Sequence, residues 1–201
     1  MHIVITGGAG FLGVRLARAL LTRGSLSRAG ATPAIIRRIT LLDRIAPPPD
    51  LTADARVQGL VGDLLQRLRD GTALAPDVDA VFHLAAAVSG ECEADFDLGM
   101  RSNYETMHAL LEACRALGQA RGQAPLLVFA SSLAVFGQTP HLPLPDVVTD
   151  ATLPTPQSSY GIQKFIGEQL VADYARKGFV IGRSARLMTV SVRPGRPNGA
   201  A

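Results

Sequence analysis

The feature that most constrains the fold is a glycine-rich segment, TGGAGFLG at residues 6–13, which separates two runs of different periodicity. Residues 2–6 form a short apolar run typical of a buried strand, and residues 11–23 repeat leucine and alanine at helical spacing. Two overlapping patterns, GxGxxG and GxxGxxG, fit the glycines of this segment, which are Gly7, Gly8, Gly10 and Gly13. A strand, a glycine turn and a helix in this order let backbone N–H groups approach a pyrophosphate. The sequence therefore predicts a dinucleotide site, which we favour over a turn that binds nothing.

The rest of the 201-residue chain alternates short apolar runs with longer amphipathic ones. We expect strands at residues 2–6, 38–43, 57–61, 79–84, 126–131 and 185–192. We expect helices at residues 11–23, 64–69, 93–118 and 158–177, with loops at 24–34 and 137–156. Strands that alternate with helices indicate right-handed crossovers and a parallel sheet. The predicted fold class is therefore α/β, a doubly wound parallel sheet of the Rossmann type.

The composition excludes several classes of protein. Hydrophobic residues make up 47% of the chain, which excludes a disordered polypeptide. The 20 basic and 17 acidic residues give a formal net charge of +3, which is too small to indicate nucleic acid as a partner. No uncharged apolar run reaches about 18 residues, so we expect no contact with a membrane. The N-terminus, MHIVITGGAGF, lacks the features of a signal peptide, so we expect a cytoplasmic protein.

The cysteines and histidines predict neither a disulfide nor a metal site. Cys92 and Cys114 are expected to be reduced and structural. His83, near the end of a predicted strand, is expected to be partly buried, and we assign it no catalytic role. The other three histidines form no ligand spacing with either cysteine, so no metal is expected.

Two aspartates follow predicted strands at the edge where a ligand is expected. Asp43 closes the strand at 38–43, where its carboxylate can accept hydrogen bonds from an adenosine ribose. The same carboxylate would repel a 2′-phosphate, which favours NAD over NADP, although Arg44 follows directly and could soften that preference. The alternative for Asp43 is a solvated side chain at a strand end. Asp63, which follows Gly62, can meet an adenine amino group or cap the next helix, and both interpretations stay open.

A tyrosine and a lysine form the candidate proton-transfer pair. Tyr160 and Lys164 lie four residues apart in YGIQK, so they share one face of the predicted helix. A neighbouring ammonium favours the phenolate, which lets Tyr160 take a proton from a substrate hydroxyl. Ser131 and Ser132 close a predicted strand, and one of their hydroxyls is expected to hold the reacting oxygen. The alternatives are a serine that only closes a strand and a tyrosine–lysine pair that shares a face by chance.

Together these features occur in an order that resembles the short-chain dehydrogenase/reductase superfamily, in its extended, epimerase/dehydratase-like branch. The matching segments span nearly the whole chain and are TGGAGFLG, Asp43, Gly62-Asp63, HLAAAVSG, Asn103, SSLAVFG and Tyr160/Lys164. Finer matches are HLAAAVSGECEADFDLGMRSN, QSSYGIQKFIGEQLVADYARKGFVIGR and SVRPGRPNGAA. These segments look like a subgroup whose members use NAD to oxidise the C2 hydroxyl of a four-carbon sugar acid.

The resemblance implies a role for each matching residue. The catalytic residues would be Ser132, Tyr160 and Lys164. NAD would be bound by Gly7, Gly10, Phe11, Leu12, Gly13, Asp43, Asp63, Leu84, Ala85, Ala86, Asn103, Tyr160 and Lys164. The sugar acid would be held by Ser89, Ser132 and Tyr160, and Arg193 is either a further carboxylate partner or a solvated arginine. The helices at 93–118 and 158–177 would pair with their copies in a homodimer.

Relatives in this branch continue well beyond the C-terminal end of this sequence. We therefore expect residues 1–193 to form the NAD-binding domain and residues 194–201 to form a tail that leads to an absent substrate-binding region. Three functions stay open at this point. They are a sugar-acid dehydrogenase, a nucleotide-sugar 4-epimerase or dehydratase with the same catalytic residues, and an inactive NAD-binding fragment.

Overall fold

A computed structural model of the chain describes residues 1–28 and 30–188. Its strands are β1 (His2–Thr6), β2 (Ser25–Leu26), β3 (Ala34–Ile35), β4 (Arg38–Asp43), β5 (Val57–Val61), β6 (Val78–His83), β7 (Leu126–Ser132) and β8 (Ile181–Leu187). Six of them form one parallel sheet in the order β5-β4-β1-β6-β7-β8, and β2 and β3 form a separate antiparallel hairpin.

Helices connect the strands of the sheet. They are α1 (Phe11–Arg23), α2 (Pro49–Thr52), α3 (Leu64–Arg69), α4 (Ser89–Ala94), α5 (Phe96–Gly99), α6 (Thr106–Arg121) and α7 (Ser159–Arg176). A π-helix (Met100–Glu105) joins α5 to α6, and a 3₁₀-helix (Leu133–Val135) follows β7. A parallel sheet flanked by helices confirms the predicted α/β, doubly wound fold class.

Two hydrophobic clusters cover the two faces of the sheet. Ile3 of β1 packs with Leu20 of α1 in one cluster. The next residue, Val4, packs with Leu110 of α6 and Val171 of α7 in the other. Successive side chains of a strand point to opposite faces, so β1 is buried on both sides and has a continuous apolar sequence.

The strand order fixes where a ligand can bind. β1 lies between β4 and β6, with Thr6 in register with Leu42 on one side and His83 on the other. The chain extends the sheet outwards in one direction through β4 and in the other through β6, so the strand order reverses beside β1. In doubly wound sheets the crevice at the carboxyl ends of the strands beside this reversal binds the ligand.

The predicted start of the last strand is wrong. We expect it at 185–192, but β8 begins at Ile181. β8 is an edge strand that carries Arg183 and Arg186, so it lacks the apolar run that marks a strand buried on both faces. Residues 189–192 of that prediction lie outside the described residues.

Two other segments differ from the prediction. The segment predicted as a loop at 24–34 contains β2 near its start and reaches β3 at its end, and these two strands pair as a hairpin. The single helix at 93–118 is replaced by α4, α5, the π-helix and α6. Asp95 causes one break, because it is extended and its carboxylate caps α5 by accepting the N–H of Leu98 at 2.9 Å.

The described residues contain neither a membrane-crossing helix nor a metal cluster. No helix in this part of the chain is both long and apolar enough to cross a bilayer. Within residues 1–28 and 30–188, His, Cys, Asp and Glu side chains do not gather in a group of three that could hold a metal ion. Cys92 and Cys114 are buried free thiols, and burial raises the pKa of Cys114 to about 12.

Candidate active site

The glycine turn joins the end of β1 to the start of α1. Gly7 has a φ of 68°, a conformation that favours glycine, and its carbonyl accepts the N–H of Gly10 at 3.1 Å. α1 begins at Phe11, and no side chain of the described residues caps it at Gly10. The first turn of α1 therefore presents backbone N–H groups and the positive end of the helix dipole to an anionic ligand.

Two further glycines allow the turn to pack closely. A Cβ atom on Gly13 would lie 2.2 Å from the carbonyl oxygen of Gly7, and a Cβ atom on Gly8 would lie 2.8 Å from the Cα of Leu41. Either side chain would push the turn away from the backbone it contacts. The glycines thus bring helix, turn and strand within van der Waals contact.

Asp43 ties the end of β4 to this turn. One carboxylate oxygen accepts the N–H of Ala9 at 3.0 Å, and the other accepts the N–H of Arg44 at 2.7 Å. Each oxygen keeps a free acceptor site, because a carboxylate accepts about four hydrogen bonds. Asp43 is therefore oriented by the backbone and can still accept hydrogen bonds from ribose hydroxyls.

Asp63 caps α3, which is one of its two predicted roles. Its carboxylate accepts the N–H of Gln66 at 3.0 Å and pairs with the guanidinium of Arg44 at 3.1 Å. The Gln66 N–H lowers the pKa of Asp63, and the ion pair with Arg44 acts in the same direction against partial burial. Contact between Asp63 and an adenine stays a prediction.

Nearly all the predicted site residues line one cleft of about 820 Å³, a volume typical of cofactor sites. The predicted residues on its walls are Gly7, Gly10, Phe11, Leu12, Gly13, Asp43, Asp63, Leu84, Ala85, Ala86, Ser89, Ser132, Tyr160 and Lys164. The cleft thus joins a phosphate-binding turn, an acidic strand end and the tyrosine–lysine pair. This combination fits a dinucleotide whose pyrophosphate lies against the turn.

The tyrosine–lysine pair lies against the end of β7. The Nζ of Lys164 lies 5.5 Å from the centre of the Tyr160 ring and donates to the carbonyl of Ala130 at 2.8 Å. The Ser132 side chain faces the Tyr160 phenol and lowers its pKa, and the Ser132 hydroxyl oxygen accepts the N–H of Ala134 at 3.1 Å. Serine, tyrosine and lysine are therefore assembled by one strand end and the first turns of α7.

The electrostatics of the pair follow from burial. Burial raises the pKa of the Tyr160 phenol, and the hydrogen bond with Ser132 partly opposes that rise. Burial lowers the pKa of Lys164 to about 8, which still leaves the ammonium mainly charged at neutral pH. At neutral pH the cleft thus contains a neutral phenol beside a cation, and a further positive charge would favour the phenolate.

The two serines at the end of β7 have different partners. Ser132 contacts Tyr160, whereas the buried hydroxyl of Ser131 donates to Glu168 at 2.5 Å. Both serines line the cleft, but the Ser131 hydroxyl is engaged by Glu168, which agrees with the choice of Ser132 that the resemblance implies. The role of Ser132 in holding the reacting oxygen stays a prediction.

Asn103 is buried and is not among the residues that line the cleft, and its contact with the cofactor stays a prediction. Its side chain accepts the N–H of Ala87 at 2.9 Å and donates to Gln163 Oε1 at 2.8 Å. Gln163 directly precedes Lys164 on α7. Asn103 therefore ties the π-helix to the helix that carries the lysine, through a neighbour of Lys164.

His83 is fully buried at the end of β6, more deeply than the sequence predicts. Its Nδ1 and the hydroxyl of Thr6 are hydrogen-bonded at 2.7 Å, and its ring stacks on Phe129 with centres 5.8 Å apart. Burial lowers the pKa of His83 to about 3, and the charge of Lys164 acts in the same direction. The imidazole is thus neutral and structural.

This burial predicts a loss of stability in acid. Between pH 6.5 and about 3 the unfolded chain binds a proton at His83 that the folded chain does not, so the free energy of unfolding falls as the pH falls. His83→Asn should flatten that dependence by up to about 1.4 kcal/mol per pH unit. Denaturant unfolding at several pH values measures it, with the exposed His141→Asn as the control. Equal slopes in wild type and His83→Asn would contradict the prediction.

Arg193, the possible carboxylate partner, lies outside the described residues. The cleft wall nearest to it in sequence ends at Leu187 and Met188. Its role stays a prediction.

A family model for NAD-dependent epimerases and dehydratases matches residues 3–199. The chain belongs to the NAD-dependent epimerase/dehydratase family. This membership confirms the resemblance to the extended short-chain dehydrogenases that the motifs indicate.

Two relatives match the chain over its full length. D-erythronate dehydrogenase from Cupriavidus necator is 55% identical over 201 residues, which are 100% of this chain and 59% of that protein. D-erythronate dehydrogenase from Haemophilus influenzae is 40% identical over 201 residues and 58% of its own length. The chain thus spans a little over half the length of these relatives.

Solved structures of the family share the fold. A nucleoside-diphosphate-sugar epimerase from Agrobacterium tumefaciens matches with a TM-score of 0.82 and 40% identity, over 100% of this chain and 56% of that one. UDP-glucuronic acid 4-epimerase from Bacillus cereus, in complex with NAD, matches with a TM-score of 0.71 and 28% identity, over 94% of this chain and 56% of that one.

Three residues around the tyrosine–lysine pair were not predicted from the sequence. Gln163 binds Asn103, and Glu168 binds both Ser131 and Arg186. Glu168 follows Lys164 by four residues and so shares its helix face, which was the available signal. For Gln163 and Arg186 no local pattern gives a signal, because their partners are distant in sequence.

Proposed function

We propose that the chain provides the cofactor site and catalytic residues of an NAD-dependent dehydrogenase. Its substrate is a four-carbon sugar acid, D-erythronate, whose C2 hydroxyl is oxidised to give 2-dehydro-D-erythronate. The observation that carries the proposal is that Ser132, Tyr160 and Lys164 line the same cleft as the glycine turn, with the Nζ of Lys164 5.5 Å from the centre of the Tyr160 ring. A hydroxyl, a phenol and an ammonium gathered in this way can form a proton-transfer site beside a dinucleotide site.

Each of the three side chains has a defined task. Ser132 hydrogen-bonds the reacting oxygen, and Tyr160 accepts the proton of the C2 hydroxyl. The ammonium of Lys164 favours the phenolate form of Tyr160 and binds the nicotinamide ribose. A bound NAD would supply the acceptor for the hydride of the same carbon. The alcohol thus loses a hydride and a proton and becomes a ketone.

The relatives support a sugar acid as the substrate. The two D-erythronate dehydrogenases are 55% and 40% identical to this chain, whereas UDP-glucose 4-epimerase from Yersinia pestis is 29% identical over 181 residues. Residues 1–193 are proposed as the NAD-binding domain. Ser89, which lines the cleft, is proposed as a contact for the sugar acid.

The direct test is an assay of NADH formation with the 201-residue chain, NAD and D-erythronate, run beside an assay for epimerisation of UDP-glucose. NADH formed only with D-erythronate supports the proposal. Epimerised UDP-glucose without net NADH would assign the chain to the 4-epimerases instead. Calorimetric binding of NAD with neither activity would leave an inactive NAD-binding domain.

Asp43 is expected to set the preference for NAD. Asp43→Asn keeps an oxygen that can accept the N–H of Ala9 but removes the charge that repels a 2′-phosphate. The ratio of NADP to NAD affinity should rise by about 10-fold or more, since hydrogen bonds to charged groups contribute about 1.5–3 kcal/mol. Calorimetry with both dinucleotides measures the ratio. Asp50→Asn, which alters an exposed ion pair with Arg18, is the control and should leave it unchanged.

We also propose a cytoplasmic homodimer in which α6 and α7 pair with their copies. The proposal rests on the resemblance to the superfamily. Sedimentation equilibrium tests the dimer, and a mass equal to one chain across micromolar concentrations would refute it.

A further inference from the structure

An ion pair between the buried Glu168 and the partly buried Arg186 lies behind the catalytic groups. The guanidinium of Arg186 donates to the carboxylate of Glu168 through Nε at 3.0 Å and through Nη2 at 2.8 Å. The hydroxyl of Ser131 donates to the same carboxylate at 2.5 Å. Ser131 and Glu168 are only 3% and 6% exposed. Neither Glu168 nor Arg186 lines the cleft, so both can act on a substrate only through other residues.

The ion pair joins the three elements that meet at the catalytic site. Ser131 precedes Ser132 on β7, and Glu168 follows Lys164 by one helical turn on α7. Arg186 lies on β8 directly in register with Ser131. Because Ser131 and Ser132 are consecutive, an anchor on the Ser131 side chain restricts the backbone that carries the Ser132 hydroxyl.

Stability alone is a weak reason for such a pair. Removing the Glu168 charge and most of the Arg186 side chain from water costs free energy, and apolar replacements of buried ion pairs are often neutral or stabilising. α7 already packs on the sheet without the pair, through Val171 in the apolar core and through Gly167, whose Cβ position lies 2.9 Å from the Phe129 ring. The pair instead fixes the orientation of the Ser131 side chain, because Glu168 binds the Arg186 guanidinium and the Ser131 hydroxyl at the same time.

We propose that Glu168, held by Arg186, is a positioning residue that fixes Ser131 and thereby directs the Ser132 hydroxyl toward Tyr160. The proposal rests on the proposed function, since it concerns the geometry of the same proton-transfer site.

The titration of Tyr160 reports this geometry without any substrate. The hydrogen bond from Ser132 lowers the pKa of Tyr160, so a misdirected Ser132 should raise it. The other groups that face the Tyr160–Lys164 pair are Cys92 of α4 and His83 of β6. On the ion-pair side, Glu168 faces Ser131 and Arg186, and Arg186 also faces Asp150. None of these facing groups is altered by the Ser131 substitution described next.

Two kinds of variant separate positioning from packing. Ser131→Ala removes the donor to Glu168 and leaves the ion pair intact. The double variant Glu168→Met/Arg186→Met replaces the pair by apolar side chains, and Glu168→Gln keeps an acceptor for Ser131. Ser184→Ala and Arg183→Met, on exposed positions of β8, are the matched controls.

The first measurement is the near-ultraviolet absorbance titration of the phenols. The chain has three tyrosines and no tryptophan, so subtracting the curve of Tyr160→Phe isolates Tyr160. The proposal expects a raised pKa of Tyr160 in Ser131→Ala and in the double variant, with Glu168→Gln closer to wild type. Circular dichroism and thermal unfolding establish that each variant is folded. Folded variants in which Tyr160 titrates as in wild type would overturn the proposal, whatever their melting temperatures.

The second measurement is the kinetics of sugar-acid oxidation. Ser131→Ala should lower kcat by roughly 10- to 100-fold with little change in the KM for NAD, because misplacement of a reacting group acts mainly on the chemical step. Unchanged kcat would overturn the proposal. If the wild-type chain turns over no sugar acid, the proposed function fails, whereas the titration still decides the positioning role.

Discussion

Replacing Tyr160 with phenylalanine is expected to lower kcat for sugar-acid oxidation by about 10²- to 10⁴-fold, the usual contribution of a general acid–base group. The substitution keeps the ring, whose centre lies 5.5 Å from the Nζ of Lys164, and removes only the hydroxyl that Ser132 contacts. The affinity for NAD should therefore stay close to that of wild type. An assay of NADH formation measures kcat, and calorimetry measures the affinity for NAD.

Tyr104→Phe is the matched control for this substitution. Tyr104 lies on the π-helix, is 36% exposed and does not line the cleft. Removal of the Tyr104 hydroxyl should leave the turnover of sugar acid unchanged. A Tyr160→Phe variant that keeps wild-type turnover would show that another group accepts the proton.

The pH dependence of wild-type turnover follows from the same residue. Only the phenolate form of Tyr160 accepts a proton, and burial raises the pKa of this phenol. Oxidation should therefore become faster as the pH rises above neutrality.

Replacing Gly13 with alanine is expected to have the largest effect on the fold of the cofactor site. The new Cβ would lie 2.2 Å from the carbonyl oxygen of Gly7 and 2.7 Å from the Cα of Gly8, and both are backbone atoms that cannot rotate away. The free energy of unfolding should fall by about 3 kcal/mol or more. For a chain of this size the melting temperature should then fall by about 6–12 °C, and NAD binding should be lost.

Gly10→Ala provides the control within the same turn. Gly10 has a φ of −74°, and its Cβ would approach the Gly7 oxygen only to 3.2 Å. The free energy of unfolding of Gly10→Ala should differ from that of wild type by less than about 1 kcal/mol. A methyl group beside the phosphate site should still weaken NAD binding. Thermal unfolding that gives both variants the same melting temperature would contradict the clash at Gly13.

Most of the fold could be predicted from local sequence patterns. β1, β4, β5, α1 and α3 have the predicted bounds, because each is marked by an apolar run or a helical repeat beside a clear turn signal. The errors fall where that signal is weak. β8 is an exposed edge strand with two arginines, and the segment before α6 is broken by the capping side chain of Asp95.

The candidate site divides in the same way. The sequence indicates the glycine turn, Asp43 and the tyrosine–lysine pair, because each is encoded within a few residues of chain. The local pattern left both serines of β7 open, only the resemblance to the family implied Ser132, and no pattern gave a partner for Asn103. Their hydrogen bonds join residues 37 and 60 positions apart, as Ser131 with Glu168 and Asn103 with Gln163 do.

The sequence by itself thus determined the parallel α/β class, the phosphate-binding turn and the chemical types of the catalytic groups, since periodicity and turn chemistry act over short stretches of chain. The tertiary structure alone decided that the Ser131 hydroxyl binds Glu168 and that Asn103 binds Gln163. It also decided that Glu168 is held by Arg186. Those choices depend on which distant side chains the packed sheet and helices bring within hydrogen-bond reach, and no local pattern encodes that distance.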